Sequence, residues 1–431
     1  HISEIIKSEK CFKKMFIFQP LTCRREIVKS ALHPSGRICS TMYNDGKMLY
    51  VFGGFDPTSA NYQLFQSLPH PRHKPDFLDL WGFDLSKKRW KLLADKEKLY
   101  LSDLVGDRII TAIFFENYFT IYTYASLPDH EQQGRLFGAV EYHYRNDQVF
   151  TRYNHGKHFD SAATNMISHQ NFVYAIRLAG FKKTSFDVYE FDPHNLELTL
   201  FSKYDPSIED RSYLVTAQHT LAYDGKSIFV IGGYIHLDSG GTFIPLISIP
   251  VFDFQSKTWR IMNTYGDYSQ SPRFPIFPAE RVDFSITQFT DLNTGDVNVV
   301  IFGGTKPPWS QAVRGAELTN DNIYRDLWKL NLRSKQWKYV GLIPSVIDGT
   351  KHCATISPYG QLCIFGGIRK AIDDVSICSS QIYSIWLCVP RLKQMCWQAL
   401  LYYIPNISLL TEDQVIALGI KWDVFTSLNY T

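Results

Sequence analysis

Short apolar stretches separated by polar turns recur along most of the chain and predict β-strands. Four of these stretches end in paired glycines: LYVFGG at 49–54, IFVIGG at 228–233, VVIFGG at 299–304 and LCIFGG at 362–367. Adjacent glycines suit a backbone that must turn with positive φ or pass close to a neighbouring strand. Two further strands, at 118–123 and 172–177, take the same place in the pattern without glycines. The six stretches are interpreted as equivalent buried strands of a repeated unit.

A second repeated pattern, strand, tight turn and strand, follows most of these stretches. DLWGFDLSKKRW at 79–90 and DLWKLNLRSKQW at 326–337 each close with a tryptophan nine residues after the first. VFDFQSKTW at 251–259 keeps an apolar residue five positions before its tryptophan. The segments at 142–149 and 189–196 keep this spacing but lack the tryptophan. The sequence therefore predicts five outer hairpins.

Together the two patterns predict an all-β fold, a six-bladed kelch β-propeller over residues 36–390. A four-stranded unit that repeats at roughly 50 to 70 residues is typical of this architecture. Each blade cannot cover both of its faces alone, so the blades must stack radially, and closing the ring removes the free ends.

The sixth unit predicts how the ring closes. Its strand at 382–389 is followed by Pro390 and lacks an outer partner. The segment 1–35 contains a spare strand, KKMFIFQPL at 13–21, which we expect to fill that outer position. Because the chain begins at His1 rather than a methionine, its natural N-terminus is left open.

Composition narrows the class of protein. With 45% hydrophobic and 15% aromatic residues, the chain of 431 residues can bury a large core. A formal charge of +3 indicates neither nucleic acid nor a membrane surface as partner. Eight sparse cysteines without C-x-x-C spacing favour reduced thiols, hence a cytoplasmic and/or nuclear protein without a bound metal. No catalytic or phosphate-binding motif is found, and no cofactor is expected.

The segment VPRLKQMCWQALLYYIP at 389–405 departs from the β pattern. Leu392, Cys396 and Leu400 recur every four residues, which predicts an amphipathic helix. Its apolar stripe could pack under the last blade or dock into a groove of a partner. Further on, Thr411 and Gln414 form a capping-box pattern that opens a second helix, which Gly419 would stop. Residues 391–431 are therefore expected to form a short helical tail.

Several segments resemble the kelch domain-containing protein 10 family: MLYVFGGFDP, YRDLWKLNLRSKQW, HCATISPYGQLCIFGG and YSIWLCVPRL with the tail. The resemblance implies a non-catalytic substrate receptor of a cullin-2–RING ubiquitin ligase. Leu392, Cys396 and Leu400 would be a BC-box for elongin B/elongin C, and Ile404-Pro405 a cullin-2 element. Such receptors read client C-termini that end in a small residue, glycine or alanine. Arg391 departs from the small or hydroxylic residue usual before the box.

A terminal carboxylate is best held by arginine, whose planar fork donates two parallel hydrogen bonds. We expect such residues at the top of the ring, around the inner strands. The candidates are Arg37, Arg211 and Arg281, with Ser212 and Ser285 nearby, Lys351 and His352 in the last blade, and Tyr234, Trp309 and Arg369 after glycine pairs. An arginine there could equally be a solvated loop residue or the partner of a neighbouring carboxylate. The second and third blades lack glycine pairs and tryptophans, which leaves client specificity open.

Two other classes of function stay open. A kelch scaffold that binds actin or a signalling partner would need no ligase-binding tail. A propeller enzyme such as a copper oxidase would need histidine and tyrosine ligands converging on the ring axis, and the scattered histidines do not indicate them.

Overall fold

The structure is a computed structural model. It describes residues 17–59, 75–99, 108–114, 118–126, 135–144, 146–154, 166–170, 172–178, 186–203, 220–237, 240–243, 245–269, 275–306, 323–344, 349–370, 376–404 and 407–429. Several residues predicted from the sequence lie outside these ranges: Arg211, Ser212, Trp309, Pro405 and the first part of the predicted closing strand, 13–16.

Six antiparallel sheets of four main strands form the six-bladed propeller that the sequence predicts. Blade 1 contains β2 (Thr41–Asn44), β3 (Met48–Phe52), β4 (Leu80–Asp84) and β5 (Arg89–Ala94). Blade 2 contains β6 (Arg108–Phe114), β7 (Tyr118–Ser126), β8 (Arg135–His143) and β9 (Gln148–Asn154). Blade 3 contains β10 (Met166–His169), β11 (Phe172–Leu178), β12 (Phe186–Phe191) and β13 (Leu198–Ser202).

The second half of the ring repeats this order with additions. Blade 4 contains β14 (Thr220–Tyr223), β15 (Ser227–Ile231), β18 (Ser248–Asp253) and β19 (Thr258–Asn263), with a separate hairpin of β16 (Tyr234–Leu237) and β17 (Gly240–Phe243). Blade 5 contains β20 (Ser285–Thr290), β21 (Val297–Phe302), β22 (Asp326–Asn331) and β23 (Gln336–Leu342). Blade 6 contains β24 (Thr350–Ile356), β25 (Gln361–Lys370), β27 (Ile382–Trp386) and β1 (Arg24–Arg25), with β26 (Ser376–Cys378) beside β25.

The N-terminal segment closes blade 6, but with later residues than the hydrophobic pattern suggests. Strand β1 pairs antiparallel with β27, placing Arg24 opposite Ser384. Backbone hydrogen bonds from Leu21 N to Trp386 O and from Glu26 N to Ile382 O, 2.8 and 2.9 Å long, extend this contact. Pro20 has no N–H to donate, and the chain turns there with Leu21 at a φ of 60°. The pairing therefore begins after the turn.

The core is divided among the six blade interfaces. Each of six apolar clusters joins two neighbouring blades, so the contacts run all the way around the ring. Between blades 6 and 1, for example, Leu49 and Phe83 pack with Cys363 and Phe365, and none of these four is exposed. Since no blade carries a core of its own, the blades stabilise one another.

Three helices lie in the described part of the tail: α1 (Leu392–Tyr403), α2 (Glu412–Ala417) and α3 (Trp422–Asn429), with a 3-10 turn at Ile407–Leu409. The capping box at the start of α2 is present, because Gln414 Oε1 accepts from Thr411 N at 2.9 Å while the Thr411 hydroxyl accepts from Gln414 N. Helix α3 is an addition that the sequence patterns did not reveal. No helix among the described residues is long and apolar enough to cross a membrane.

Candidate functional site

The propeller has two faces that differ in structure, as the two ends of β25 in blade 6 show. At one end of β25, Gly367 N donates to Arg37 O, so the glycine pairs lie near the loops that lead into the blades. At the other end, Gln361 pairs with Trp386, the last residue of β27. We call these ends the glycine face and the tail face. The helical tail leaves the ring from the face opposite the glycine pairs.

Two arginines on the glycine face are held in matching buried networks. Arg37 Nη1 lies 2.5 Å from Asp79 Oδ1 and donates to Gly53 O at 3.0 Å. The indole of Trp81 donates to the same carboxylate at 2.7 Å. We call this arrangement of arginine, glycine carbonyl, aspartate and tryptophan the arginine clasp.

Blade 5 contains a second arginine clasp with the same geometry. Arg281 Nη1 lies 2.6 Å from Asp326 Oδ1, and Nη2 donates to Asp326 Oδ2 at 2.8 Å. Gly303 O accepts from Arg281 at 3.1 Å, and Trp328 donates to Asp326 at 2.7 Å. The aspartate partners were not singled out from the sequence, although an aspartate immediately precedes Leu-Trp in both copies of the hairpin.

These contacts decide what the two arginines can do. Arg37 and Arg281 are only 1% and 2% exposed, and aromatic rings cover their guanidinium groups. A client carboxylate would have to displace Asp79 or Asp326 to bind them. Of the two readings the sequence left open, the ion pair with a neighbouring carboxylate is the one observed.

The other described candidates from the last blades, Ser285, Lys351 and His352, lie at the interface between blades 5 and 6. Ser285 Oγ donates to His352 O at 2.9 Å, and Lys351 Nζ lies 3.8 Å from Asp283 Oδ2. Lys351 N donates to Asp283 O, and Cys39 N donates to Lys351 O. Cys39, Asp283 and Lys351 share a positive φ of 53° to 54°. These equivalent residues join blades 5, 6 and 1 by backbone hydrogen bonds.

Tyr234 and Arg369 are placed only through their backbones. Tyr234 pairs with Phe243 in the extra hairpin of blade 4, and Arg369 pairs with Ile377 in blade 6. The structure therefore distributes these two candidates over blades 4 and 6.

His352 is a buried histidine. Its ring lies 4.5 Å from that of Phe302, and neither ring nitrogen has a hydrogen-bond partner among the described residues. Burial lowers the pKa of His352 to about 3, because the charged imidazolium loses its hydration. The side chain is therefore neutral at physiological pH.

Helix α1 on the tail side has two apolar faces with different surroundings. Leu400 packs against the tail core of Ile407, Val415 and Phe425, and Ile404 does the same. Leu392, by contrast, is 70% exposed, and Cys396 is exposed one turn further along. The predicted stripe is thus divided: its first two members face solvent and its third contributes to the tail core.

A cleft of about 330 Å³ separates α1 from the turns of blades 1 and 6 on the tail face. Trp397 borders both this cleft and the tail core. The cleft is lined by Gly46, Lys47, Met48, Asp84, Leu85, Ser86, Lys87, Lys88, Tyr359, Gln361, Trp386, Gln394, Trp397 and Gln398.

Several known proteins are similar in sequence to this chain over most of its length. No protein-family model matches it. A kelch domain-containing protein 10 homolog of Drosophila melanogaster is 26% identical over 437 residues, covering 94% of this chain but only 64% of the relative. Kelch domain-containing protein 10 of Xenopus tropicalis is 25% identical over 416 residues, covering 94% and 88%. The human protein of that name is 24% identical over 395 residues, covering 89% and 78%.

The sequence similarity to these proteins agrees with the observed fold. The matches extend over nearly the whole chain, and the chain folds as the six-bladed kelch propeller that its repeats predict. A propeller of this kind with these relatives is a protein-interaction domain. The chain is thus similar, over 89 to 94% of its length, to proteins named kelch domain-containing protein 10.

Proposed function

We propose that this protein is the substrate-recognition subunit of a cullin-2–elongin B/C–RING ubiquitin ligase. The propeller would bind client C-termini that end in glycine or alanine, and the tail would bind elongin B/elongin C and cullin-2. The protein would act as a non-catalytic adaptor in the cytoplasm and/or nucleus. The observation that carries the proposal is the open apolar edge of α1, on a tail that already has a core of its own.

Helix α1 does not need Leu392 or Cys396 to fold against its neighbours. Its other face, which includes Trp397, Leu400 and Leu401, packs on the tail core. Fully burying a leucine side chain contributes about 2 kcal/mol of stabilisation. Because Leu392 is 70% exposed, most of this stabilisation would be gained only when a partner covers the side chain. Anchors one helical turn apart on an open face are what a partner's hydrophobic groove recognises.

The position of the tail also suits an adaptor. Because α1 leaves the tail face, a partner bound there would not obstruct a client held on the glycine face. An adaptor of this kind contributes only proximity, by holding a client lysine near a ubiquitin-charged partner. The segment that would bind cullin-2 contains Ile404 and Pro405. Ile404 packs on the tail core.

Co-purification with elongin B/elongin C tests the proposal. The wild type should co-elute with the elongin pair, and the double variant Leu392→Ser/Cys396→Glu should not. Both side chains are exposed, so the substitutions should leave the fold intact, as circular dichroism can verify. Ile416→Ser provides a matched control, since Ile416 is 52% exposed and lies on α2, not on α1.

Loss of elongin binding in the double variant but not in Ile416→Ser is the expected result. If the folded wild type does not bind the elongin pair, the ligase role is excluded. A kelch scaffold without ligase function, for example for actin or a signalling protein, would then be the remaining assignment.

A further inference from the structure

Four buried side-chain atoms without a hydrogen-bond partner among the described residues occur close together on the glycine face. They are Arg325 Nε, Thr350 Oγ1 and the two ring nitrogens of His352. Thr350 is completely buried and His352 is 6% exposed, while Arg325 is partly exposed. Leaving buried polar atoms unpaired costs free energy, so such a concentration calls for an explanation.

Two glycines bring these side chains together at the interface of blades 5 and 6. A Cβ added to Gly349, the neighbour of Thr350, would lie 3.8 Å from Arg325 Cγ and 2.6 Å from Ile323 Cγ2. A Cβ added to Gly303 would lie 2.9 Å from His352 Cε1. The absence of a side chain at Gly349 lets the segment 323–325 pass close to Thr350, and the absence of one at Gly303 leaves room for the His352 ring.

Blade 6 lacks the arginine clasp that occupies the corresponding place in blades 1 and 5. Strand registers pair Ser285 with Phe302 and Cys353 with Phe365, directly before the glycine pairs. Counting back four residues from Ser285 leads to Arg281, whereas the same step from Cys353 leads to Gly349. The neighbouring position held by Asp326 in blade 5 is Gln381 in blade 6. Blade 6 therefore contributes neither the arginine nor the aspartate.

Arg325 differs electrostatically from the clasp arginines. Asp79 and Asp326 neutralise Arg37 and Arg281 at 2.5 and 2.6 Å. No carboxylate in the described part of the chain forms an ion pair with Arg325. Nε of Arg325 is buried but the side chain is partly exposed, so its charge has neither an aspartate partner among the described residues nor complete burial. A guanidinium in this state can pair with the carboxylate of a ligand without displacing a partner of its own.

We propose that Arg325, Thr350 and His352 form a carboxylate-binding site at the glycine-face end of the interface between blades 5 and 6. The Arg325 guanidinium would donate paired hydrogen bonds to the carboxylate, and the Thr350 hydroxyl would donate a third. The N–H of the neutral His352 ring would donate one more. The carboxylate comes either from a client C-terminus, a case that rests on the proposed function, or from an aspartate or glutamate side chain.

Thermal denaturation of the full chain with small probes at neutral pH distinguishes these sources. N-acetyl-glycylglycine at tens of millimolar should raise the Tm of the wild type, because a ligand that binds only the folded state stabilises it. The amide of the same dipeptide should have no effect. N-acetyl-aspartic acid amide presents only a side-chain carboxylate, so an equal shift with it would indicate a site for acidic side chains.

The variant Arg325→Met keeps a long apolar side chain but removes the charge. It should abolish the probe-dependent rise in Tm, and without a probe its Tm should equal or exceed that of the wild type. Thr350→Val should reduce the rise. Arg281→Met is the matched control: it leaves the Asp326 carboxylate, whose side chain is only 15% exposed, without its partner and should lower the Tm sharply without probe.

Any one of three results would overturn the proposal. The first is that no carboxylate probe raises the Tm of the wild type. The second is that the probe raises the Tm of Arg325→Met as much as that of the wild type, and the third is that Arg325→Met loses as much stability as Arg281→Met. Elongin co-purification of Arg325→Met separates this site from the proposed function. Binding of the elongin pair should be unchanged whether or not the carboxylate site exists.

Discussion

At the scale of single residues, the chain uses the same polar network twice, at places that a strand pattern does not reveal. In the blade 5 clasp, Arg281 satisfies Asp326 and a glycine carbonyl at once. The glycine pair is required there for a steric reason. Gly304 has a φ of 94°, and a Cβ on it would lie 2.6 Å from Val282 O. The glycine pair thus lets the segment after Arg281, which contains Val282, pass close to the end of β21.

His352 should make the protein sensitive to mild acid. Its pKa is about 3 in the folded protein and near 6.5 when unfolded, so the unfolded chain binds more protons between these values. The contribution of the neutral His352 ring to the free energy of unfolding is therefore fully present above pH 6.5. It decreases as the pH falls toward 3, and at pH 5 the loss is about 2 kcal/mol.

Urea denaturation of the wild type and His352→Phe at pH 7 and pH 5 measures this effect. The variant should lose less stability than the wild type over this interval, because its ring cannot be protonated. An equal loss in both proteins would show that His352 does not titrate in this way.

At the scale of elements, the tail is a small folded unit. Trp397 and Trp422 pack around a centre formed by Ile407, Val415 and Phe425, all but fully buried. This core draws on all three helices and on the 3-10 turn. The docking edge of α1 is therefore presented by a folded support and not by an isolated helix, which in water would be marginally stable at this length.

Phe425→Ala should unfold the tail and leave the propeller intact. Phe425 is 1% exposed, and removing a buried phenylalanine side chain costs about 3 kcal/mol or more, which a core of this size cannot absorb. Hydrogen exchange should show loss of protection over residues 392–425 and unchanged protection in β21. The neighbouring variant Val424→Ala, at a position 46% exposed, serves as the control. Retained protection in the tail of Phe425→Ala would contradict this account.

At the scale of the whole molecule, ring closure depends on a short N-terminal contact. Beyond the backbone pairing of β1 with β27, Glu26 forms an ion pair with Lys88 of blade 1 at 2.8 Å and accepts a hydrogen bond from Ser384. The segment therefore connects blade 6 to blade 1 as well as covering the outer edge of blade 6.

Deleting residues 1–26 should lower the Tm and promote self-association, because the outer edge of β27 would be left without a partner strand. Size-exclusion chromatography and thermal denaturation measure the two effects. Arg24→Ala changes an exposed residue of β1 without removing the strand and should behave as the wild type. A deletion variant that stays monomeric with an unchanged Tm would show that the ring does not depend on β1.

The sequence predicted the architecture better than it predicted the site. The spacing from Trp81 to Trp90 and from Trp328 to Trp337 describes the outer hairpins as they are found in blades 1 and 5. Candidates for the client site were chosen by charge and by position near a glycine pair. Such a choice cannot reveal that Arg37 and Arg281 already have aspartate partners, 42 and 45 residues away in the chain.

The sequence by itself determined the number of blades, their inner strands and the capped helix α2, because periodicity, glycine pairs and caps act between residues close in the chain. Only the tertiary structure decided which residues of the N-terminal segment close the ring. It also decided that Leu392 faces solvent while Leu400 is packed, and that Arg325 lies near Thr350 without an ion pair to any described carboxylate. These properties depend on contacts between distant segments, which no local pattern records.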